Sequence, residues 1–321
     1  MFSPEPQRNS LQMFLARVPS THASYPLLLS MKSNQLAGRH GEERVLSYLQ
    51  EALHNQSAYV LHDFHMRIPN AYSIQIDFVI FTKSYILLLE VKNIKGHIRL
   101  QHAPPQLVRT LDGIVQAMDC PFTQMTRNVM HFKKLLGNQS VPVYTAIVWA
   151  NRSAVIDPLM FEAPHPLLFV KQLPAFISNL PNEESANVSL RPLVRRIQSK
   201  ATPFWQTNMC ERYSVSPLDL LNGMQCMACY SMAKLFEKTW VCMNCKCRVN
   251  SMLPENICLL FHFMGENLSM QMLQQLIPSL RSRNLQDLIQ SKRLQISGNR
   301  RNRSYHTVTP KQVKWMEINN K

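Results

Sequence analysis

Residues 73–96 read SIQIDFVIFTKSYILLLEVKNIKG, two apolar strands joined by a short turn. Three charged residues stand where a buried strand should carry none: Asp77, Glu90 and Lys92. Side chains alternate across a strand, so Glu90 and Lys92, two apart, share a face. A turn over residues 82–85 places Asp77 directly opposite Glu90, and opposed residues also share a face. Two carboxylates and one ammonium then converge, and the carboxylates repel unless a cation lies between them. Oxygen donors of this kind suit Mg²⁺ or Mn²⁺. The lysine is suited to orient an attacking water or to stabilise charge developing on phosphorus. Salt bridging within the fold would also use such residues, but three charges in one apolar hairpin are costly without a further role.

The flanking chain supplies an alternating set of elements. Residues 33–53 read as a helix whose apolar face is Val45, Leu46, Leu49 and Leu53. Glu42 falls near the centre of that face and so needs a partner, while Glu43 lies about 100° away. Residues 59–67 and 73–81 read as strands and 85–92 as a third, apolar on both faces. Residues 93–108 are polar and read as a loop or small extension, with His97 and His102 on the surface. Pro121 opens a helix to Leu136, Pro being favourable in a first turn. Strands follow at 141–150 and 167–170, and a helix at 172–180. Upstream, residues 11–18 suggest a short helix and 25–31 an apolar run docked on the core.

The spaced set Gly38-Arg39-His40-Gly41-Glu42-Glu43, Gln75-Ile76-Asp77, Glu90-Val91-Lys92-Asn93 with Gly96, and Pro121-Phe122-Thr123-Gln124 resembles the nuclease-related domain (NERD) family of the PD-(D/E)xK nuclease superfamily. The turn before the second strand, Lys83-Ser84-Tyr85, departs from the glycine usual in that family. The resemblance implies a restriction-endonuclease-like αβββαβ core, a mixed α/β sheet flanked by helices, in agreement with the element order. It also implies that Asp77, Glu90 and the Val91 carbonyl hold Mg²⁺ (or Mn²⁺), that Lys92 serves the attacking water, that Glu42 assists, and that Gln124 reaches the active site or a phosphate. The expected activity is metal-dependent hydrolysis of DNA. The competing readings are a non-catalytic nucleic-acid-binding protein that keeps the fold, and a protein-interaction adaptor.

The net charge of +15 is uneven. Residues 1–182 carry 16 Lys and Arg against 11 Asp and Glu; residues 183–321 carry 19 against 9. A basic half beside a phosphodiesterase-like core points to nucleic acid, DNA or RNA, as partner. No apolar run reaches 18 residues and Arg17 and His22 interrupt the N-terminal apolar region, so neither a membrane span nor a signal peptide is expected, and the location expected is cytoplasmic.

Six of the eight cysteines follow residue 220. Cys226-x2-Cys229-x12-Cys242-x2-Cys245 is the spacing of a four-thiolate zinc ribbon, with Cys247 as an alternative fourth ligand and Trp240 as a cover for the ion. Four thiolates close the coordination shell, so the Zn²⁺ expected here is structural. Residues 268–280 and 284–294 suggest two helices, followed by a basic turn over 295–306. Arg281, Arg283, Lys292, Arg293, Arg300, Arg301 and Arg303 are candidate phosphate contacts of a helix-turn-helix-like tail. The expected organisation is an extension (1–32), a nuclease-like domain (33–182), a helical linker (183–222), the ribbon (223–252) and the basic module (253–321).

Overall fold

A computed structural model of the chain describes residues 6–68, 72–137, 141–181, 189–202, 208–265, 268–291, 294–297, 304–307 and 315–318. The chain forms two compact units, residues 35–203 with 312–321, and residues 1–34 with 204–311.

Helix α1 (Pro6–Leu15) is followed by α2 (Tyr25–Ala52), which begins at the apolar run expected to be a separate docked segment. Pro26, in its first turn, lacks only an N–H that no helix bond would use there. Strands β1 (Ala58–Ile68), β2 (Tyr72–Phe81) and β3 (Ile86–Lys92) follow, β1 pairing antiparallel with β2 and β2 with β3. The β2–β3 turn works without glycine. The Thr82 hydroxyl accepts from the Ser84 and Tyr85 N–H groups at 3.2 and 3.0 Å, and the Thr82 N–H donates to the Tyr85 carbonyl.

Residues 93–108, expected as a loop or small extension, are an extension built of strands. They belong to a meander of β4 (Gly96–His102), β5 (Pro105–Leu111) and β6 (Ile114–Asp119), which turns through Asp112 and Gly113, both at positive φ. Ile98, Leu100 and Leu107 alternate with polar residues and pack on Phe122, Ile147 and Trp149. The polar outward residues of β4, His97, Arg99 and Gln101, mask this pattern when composition alone is weighed, while β6 leaves Ile114 and Val115 exposed. The expected outer positions of His97 and His102 hold, and His97 Nε2 lies 2.5 Å from Asp157 Oδ1.

Next come α3 (Pro121–Leu136), β7 (Val143–Trp149), β8 (Ala154–Ile156), β9 (Leu167–Phe169), α4 (Leu173–Ser178) and α5 (Leu190–Lys200). Strands β3, β7 and β9 are parallel, and β8 joins the meander beside β4. The main sheet is therefore mixed. Val45 and Leu49 of α2, Leu53 just past its end, and Leu173 and Ile177 of α4 cover one face. Met125 and Phe132 of α3 and Leu193, Val194 and Ile197 of α5 cover the other. This is the αβββαβ order, with the meander inserted between β3 and α3, and the mixed α/β sheet with flanking helices is compatible with a nuclease-like core.

The glycine at Gly41 has a steric cause. A Cβ there would come within 2.7 Å of Asn93 Cβ and 3.5 Å of Ala150 Cβ, where α2 crosses the ends of β3 and β7. Asn93 Nδ2 in turn donates to the Ala37 carbonyl at 2.6 Å. Gly41→Ala is expected to cost about 1–3 kcal/mol by overpacking, read as a lower Tm, whereas Gly38→Ala, in the same helix with nothing within 4 Å of its Cβ, is expected to raise Tm, Ala being favoured over Gly in a helix interior by roughly 0.5–1 kcal/mol.

The other unit holds α6 (Met209–Arg212), the ribbon hairpin β10 (Ala233–Phe236) and β11 (Thr239–Cys242), then α7 (Leu253–Met264), α8 (Met270–Leu276) and α9 (Ser282–Gln290). The two expected tail helices are thus shorter than their apolar pattern suggests. The expected basic turn includes the two strands of a hairpin, β12 (Leu294–Ser297) and β13 (Ser304–Thr307). Phe14 of α1 packs edge-on against Phe263 of α7, and the fully buried Arg17 donates to the Leu221 and Gly223 carbonyls and to Asn256 Oδ1. Strand β14 (Trp315–Ile318) pairs with β1 at the edge of the main sheet.

Candidate active site and thiol cluster

Strands β2 and β3 pair from Phe81↔Ile86 to Phe78↔Leu89, so one residue further Asp77 stands across from Glu90. The strand alternation changes phase at this point. Along β1, Tyr59 and Leu61, then Phe64 and Met66, line the same core; along β2, Ile74 and Ile76, then Val79 and Phe81, do so. The change falls at the facing residues Asp63 and Asp77, between the pairs His62↔Phe78 and Phe64↔Ile76. Asp63 takes it up at φ 55°, a left-handed conformation that costs on the order of 1–3 kcal/mol. Asp77 thereby leaves the apolar alternation and accepts the Val91 N–H at 2.7 Å through Oδ2.

Glu90 is 3% exposed. Its Oε1 lies 2.6 Å from Lys92 Nζ, and its Oε2 makes no hydrogen bond among the described residues. Lys92 Nζ also donates to Gln124 Oε1 at 2.9 Å, so the first turn of α3 reaches β3. Glu42, on the half-buried side of α2, bonds His62 Nε2 at 2.7 Å. The His62 ring stacks on Phe78, 4.6 Å away and 3° from parallel. The sequence reading did not single out His62; its only early signal was its place on a strand next to the one bearing Asp77.

The electrostatics are those of crowded acids. Burial, then the charges of Glu90 and Glu42, hold the Asp77 carboxyl well above its ordinary value of 3.8, against the Val91 N–H and Lys92. Burial also raises Glu90, opposed by Lys92 and Gln124 and aided by Glu42. A carboxyl that binds its proton more tightly when folded stabilises the fold below its unfolded pKa. That contribution is lost as pH rises through the raised folded value. In metal-free protein Asp77→Asn is therefore expected to raise Tm at pH 7. The gain is expected to vanish near pH 4, where the wild-type carboxyl is protonated. Thermal melts at the two pH values in a chelator check this.

The Sγ atoms of Cys226, Cys229, Cys242 and Cys245 all lie within 4.8 Å of one another. Cys229–Cys242 is 3.3 Å, and Cys226–Cys245 and Cys229–Cys245 are 3.6 Å. Tetrahedral Zn–S bonds of about 2.3 Å place sulfurs about 3.8 Å apart, so the thiol set is compatible with a zinc ribbon. Cys247 Sγ lies 3.4 Å from Cys226 Sγ and 3.3 Å from Cys245 Sγ, outside the group of four. Trp240, expected as a cover for the ion, packs beside Gly223 and donates from Nε1 to Ser279 Oγ at 3.2 Å. Arg281 and Arg283 are exposed, at and just inside the N-terminus of α9. Lys292, Arg293, Arg300, Arg301 and Arg303 lie outside the described residues.

Residues 37–150 match the nuclease-related domain (NERD) family, and that span contains Glu42, Asp77, Glu90, Lys92 and Gln124. No curated protein and no solved structure matches the chain. Among the described residues, no helix is long and apolar enough to cross a membrane.

Proposed function

We propose that this protein is a metal-dependent nuclease that hydrolyses phosphodiester bonds in DNA at a site built from Asp77, Glu90 and Lys92. The observation that carries the reading is the Glu90 carboxylate: buried, tied to Lys92 through Oε1, with no hydrogen bond to Oε2 among the described residues. A buried acceptor without a partner is costly, and a facing carboxylate adds repulsion. The pair is a poor structural device and a good seat for a hard divalent cation, Mg²⁺ or Mn²⁺, which takes carboxylate oxygens. The Val91 carbonyl is the third oxygen this reading assigns to it.

When bound, the cation supplies Lewis-acid polarisation of a phosphoryl oxygen and a water of lowered pKa. Lys92 Nζ, held between Glu90 and Gln124, orients the attacking water and offsets the negative charge that grows on the phosphoryl oxygens. Glu42, steadied by His62, accepts the proton of that water on a carboxylate oxygen. Zn²⁺ on Cys226, Cys229, Cys242 and Cys245 stabilises the ribbon. Arg281 and Arg283, with the basic residues that follow, engage the phosphate backbone. The reading places the protein in the cytoplasm, where thiols stay reduced and metal-competent. A binding-only protein or an adaptor would have no use for a strained strand pair that buries Asp77 and Glu90 side by side, one on the Val91 N–H and the other on Lys92.

The test is incubation of supercoiled plasmid and of single-stranded DNA with the protein in Mg²⁺, in Mn²⁺ and in EDTA. Cleavage in either metal and none in EDTA is expected. Retained DNA binding with no cleavage under either metal would replace the enzyme reading with a binding one.

A further inference from the structure

Within the unit of residues 1–34 and 204–311, a cavity of about 400 Å³ opens between the ribbon hairpin and α9. Lys238, from the hairpin turn, and Arg281 and Arg283 line it, against one acidic residue, Glu237. None of the three cations takes part in an ion pair among the described residues. The remaining wall is partly apolar, with Leu235 and Trp240. Leu235 is exposed, as is Phe236 beside it at the hairpin tip.

Cations beside an apolar and indole surface are the two parts of a nucleotide site: charge for the phosphodiester, a flat or oily wall for the base. The volume lies at the low end of the range of about 300–1,000 Å³ typical of small-ligand clefts, which suits one nucleotide. A paired base is held inside its duplex and enters such a cavity only after unstacking, whereas an unpaired base enters without that cost. We infer that this cavity holds one unpaired nucleotide of a single DNA strand, its phosphate on Lys238, Arg281 and Arg283 and its base against Leu235 and Trp240. The inference rests on the nuclease reading for its choice of nucleic acid, and it adds a substrate class: DNA with single-stranded ends, gaps or tails.

The test uses the full chain loaded with zinc, with no Mg²⁺ or Mn²⁺ added, and follows the anisotropy of labelled oligonucleotides. The wild type is expected to bind a single strand at least about tenfold more tightly than a duplex of equal length, with quenching of indole fluorescence that Trp240→Phe reduces. Combined Lys238→Ala, Arg281→Ala and Arg283→Ala is expected to weaken single-strand binding at least about tenfold. The three cations share one phosphate, and each neutralised phosphate contributes about 0.7 to the salt slope, so the slope should fall by about 0.7. Zinc content shows that the ribbon is intact in the triple variant, and Arg283→Ala alone is expected to show a smaller change of the same sign. Unchanged affinity and slope in the triple variant, preference for duplex, or tighter binding of an acidic peptide would overturn the inference. If the wild type still cleaves DNA in that case, the nuclease reading stands; a wild type that neither binds nor cleaves DNA removes both.

Discussion

Lys92→Ala is expected to lower the rate of metal-dependent DNA cleavage by about 10²–10³-fold, the usual cost of removing one charge-stabilising donor from a reacting centre. Two effects add. The ammonium that faces the developing charge is lost, and Glu90 loses its only charged hydrogen-bond partner while remaining 3% exposed. An uncompensated buried carboxylate either destabilises the fold, on the order of 3–5 kcal/mol, or takes up a proton and ceases to attract the cation. Metal-free Lys92→Ala should therefore melt lower than the wild type, the reverse of Asp77→Asn, although both variants should be inactive. Opposite stability signs with the same functional loss would distinguish a strained catalytic cluster from an ordinary salt bridge, whose loss is destabilising whichever partner goes. Lys92→Arg should not restore the rate. The planar guanidinium cannot replace a compact ammonium held between Glu90 Oε1 and Gln124 Oε1 at 2.6 and 2.9 Å. Equal cleavage by wild type and Lys92→Ala would move the reaction centre elsewhere.

Cys226→Ser, or exhaustive chelation, is expected to remove one zinc per chain and to unfold the ribbon. Structural zinc contributes on the order of 10–16 kcal/mol of apparent binding free energy at neutral pH, far more than a four-residue hairpin and its few apolar contacts supply. The effect should spread, because Cys226 and Cys242 belong to the same apolar cluster as Met224, Trp240, Val249 and Ile257. Loss of near-ultraviolet circular dichroism together with zinc, and recovery of both on adding the ion back, is the expected signature. Cys247→Ser should keep its zinc and Cys245→Ser should lose most of its affinity. Full zinc content in Cys245→Ser would make Cys247 the fourth ligand. Full near-ultraviolet signal in zinc-free protein would mean that the ribbon folds on its apolar contacts alone.

Those expectations draw on two kinds of information. Contiguous residues carry their own periodicity, and where it was strong the sequence was enough. The two-residue period of a strand places Glu90 and Lys92 together, and the length of the 82–85 turn sets Asp77 across from Glu90, because a hairpin's register follows from its turn. The paired Cys-x2-Cys knuckles are equally local. Pro121 and the apolar spacing of Met125, Phe132 and Leu136 mark α3 to the residue. The meander over 96–119 also had a local signal, the Asp112-Gly113 turn between alternating strands, and was obscured because the outward residues of β4 are polar.

Other features have no local signal, because they exist only where distant segments meet. The phase change at Asp63 and Asp77 needs two strands to shift together. The His62–Glu42 bond joins residues on a strand and a helix twenty positions apart, and Gln124 reaches Lys92 only because α3 lies over the end of β3. The packing of α1 with α7, and the cavity between the ribbon hairpin and α9, depend on which apolar faces find each other in space. Sequence alone determined which residue types stand at which strand and helix positions, since backbone periodicity is local. Tertiary structure decided which of them touch and which buried carboxylate oxygen makes no hydrogen bond among the described residues, since contact and desolvation are properties of the packed chain.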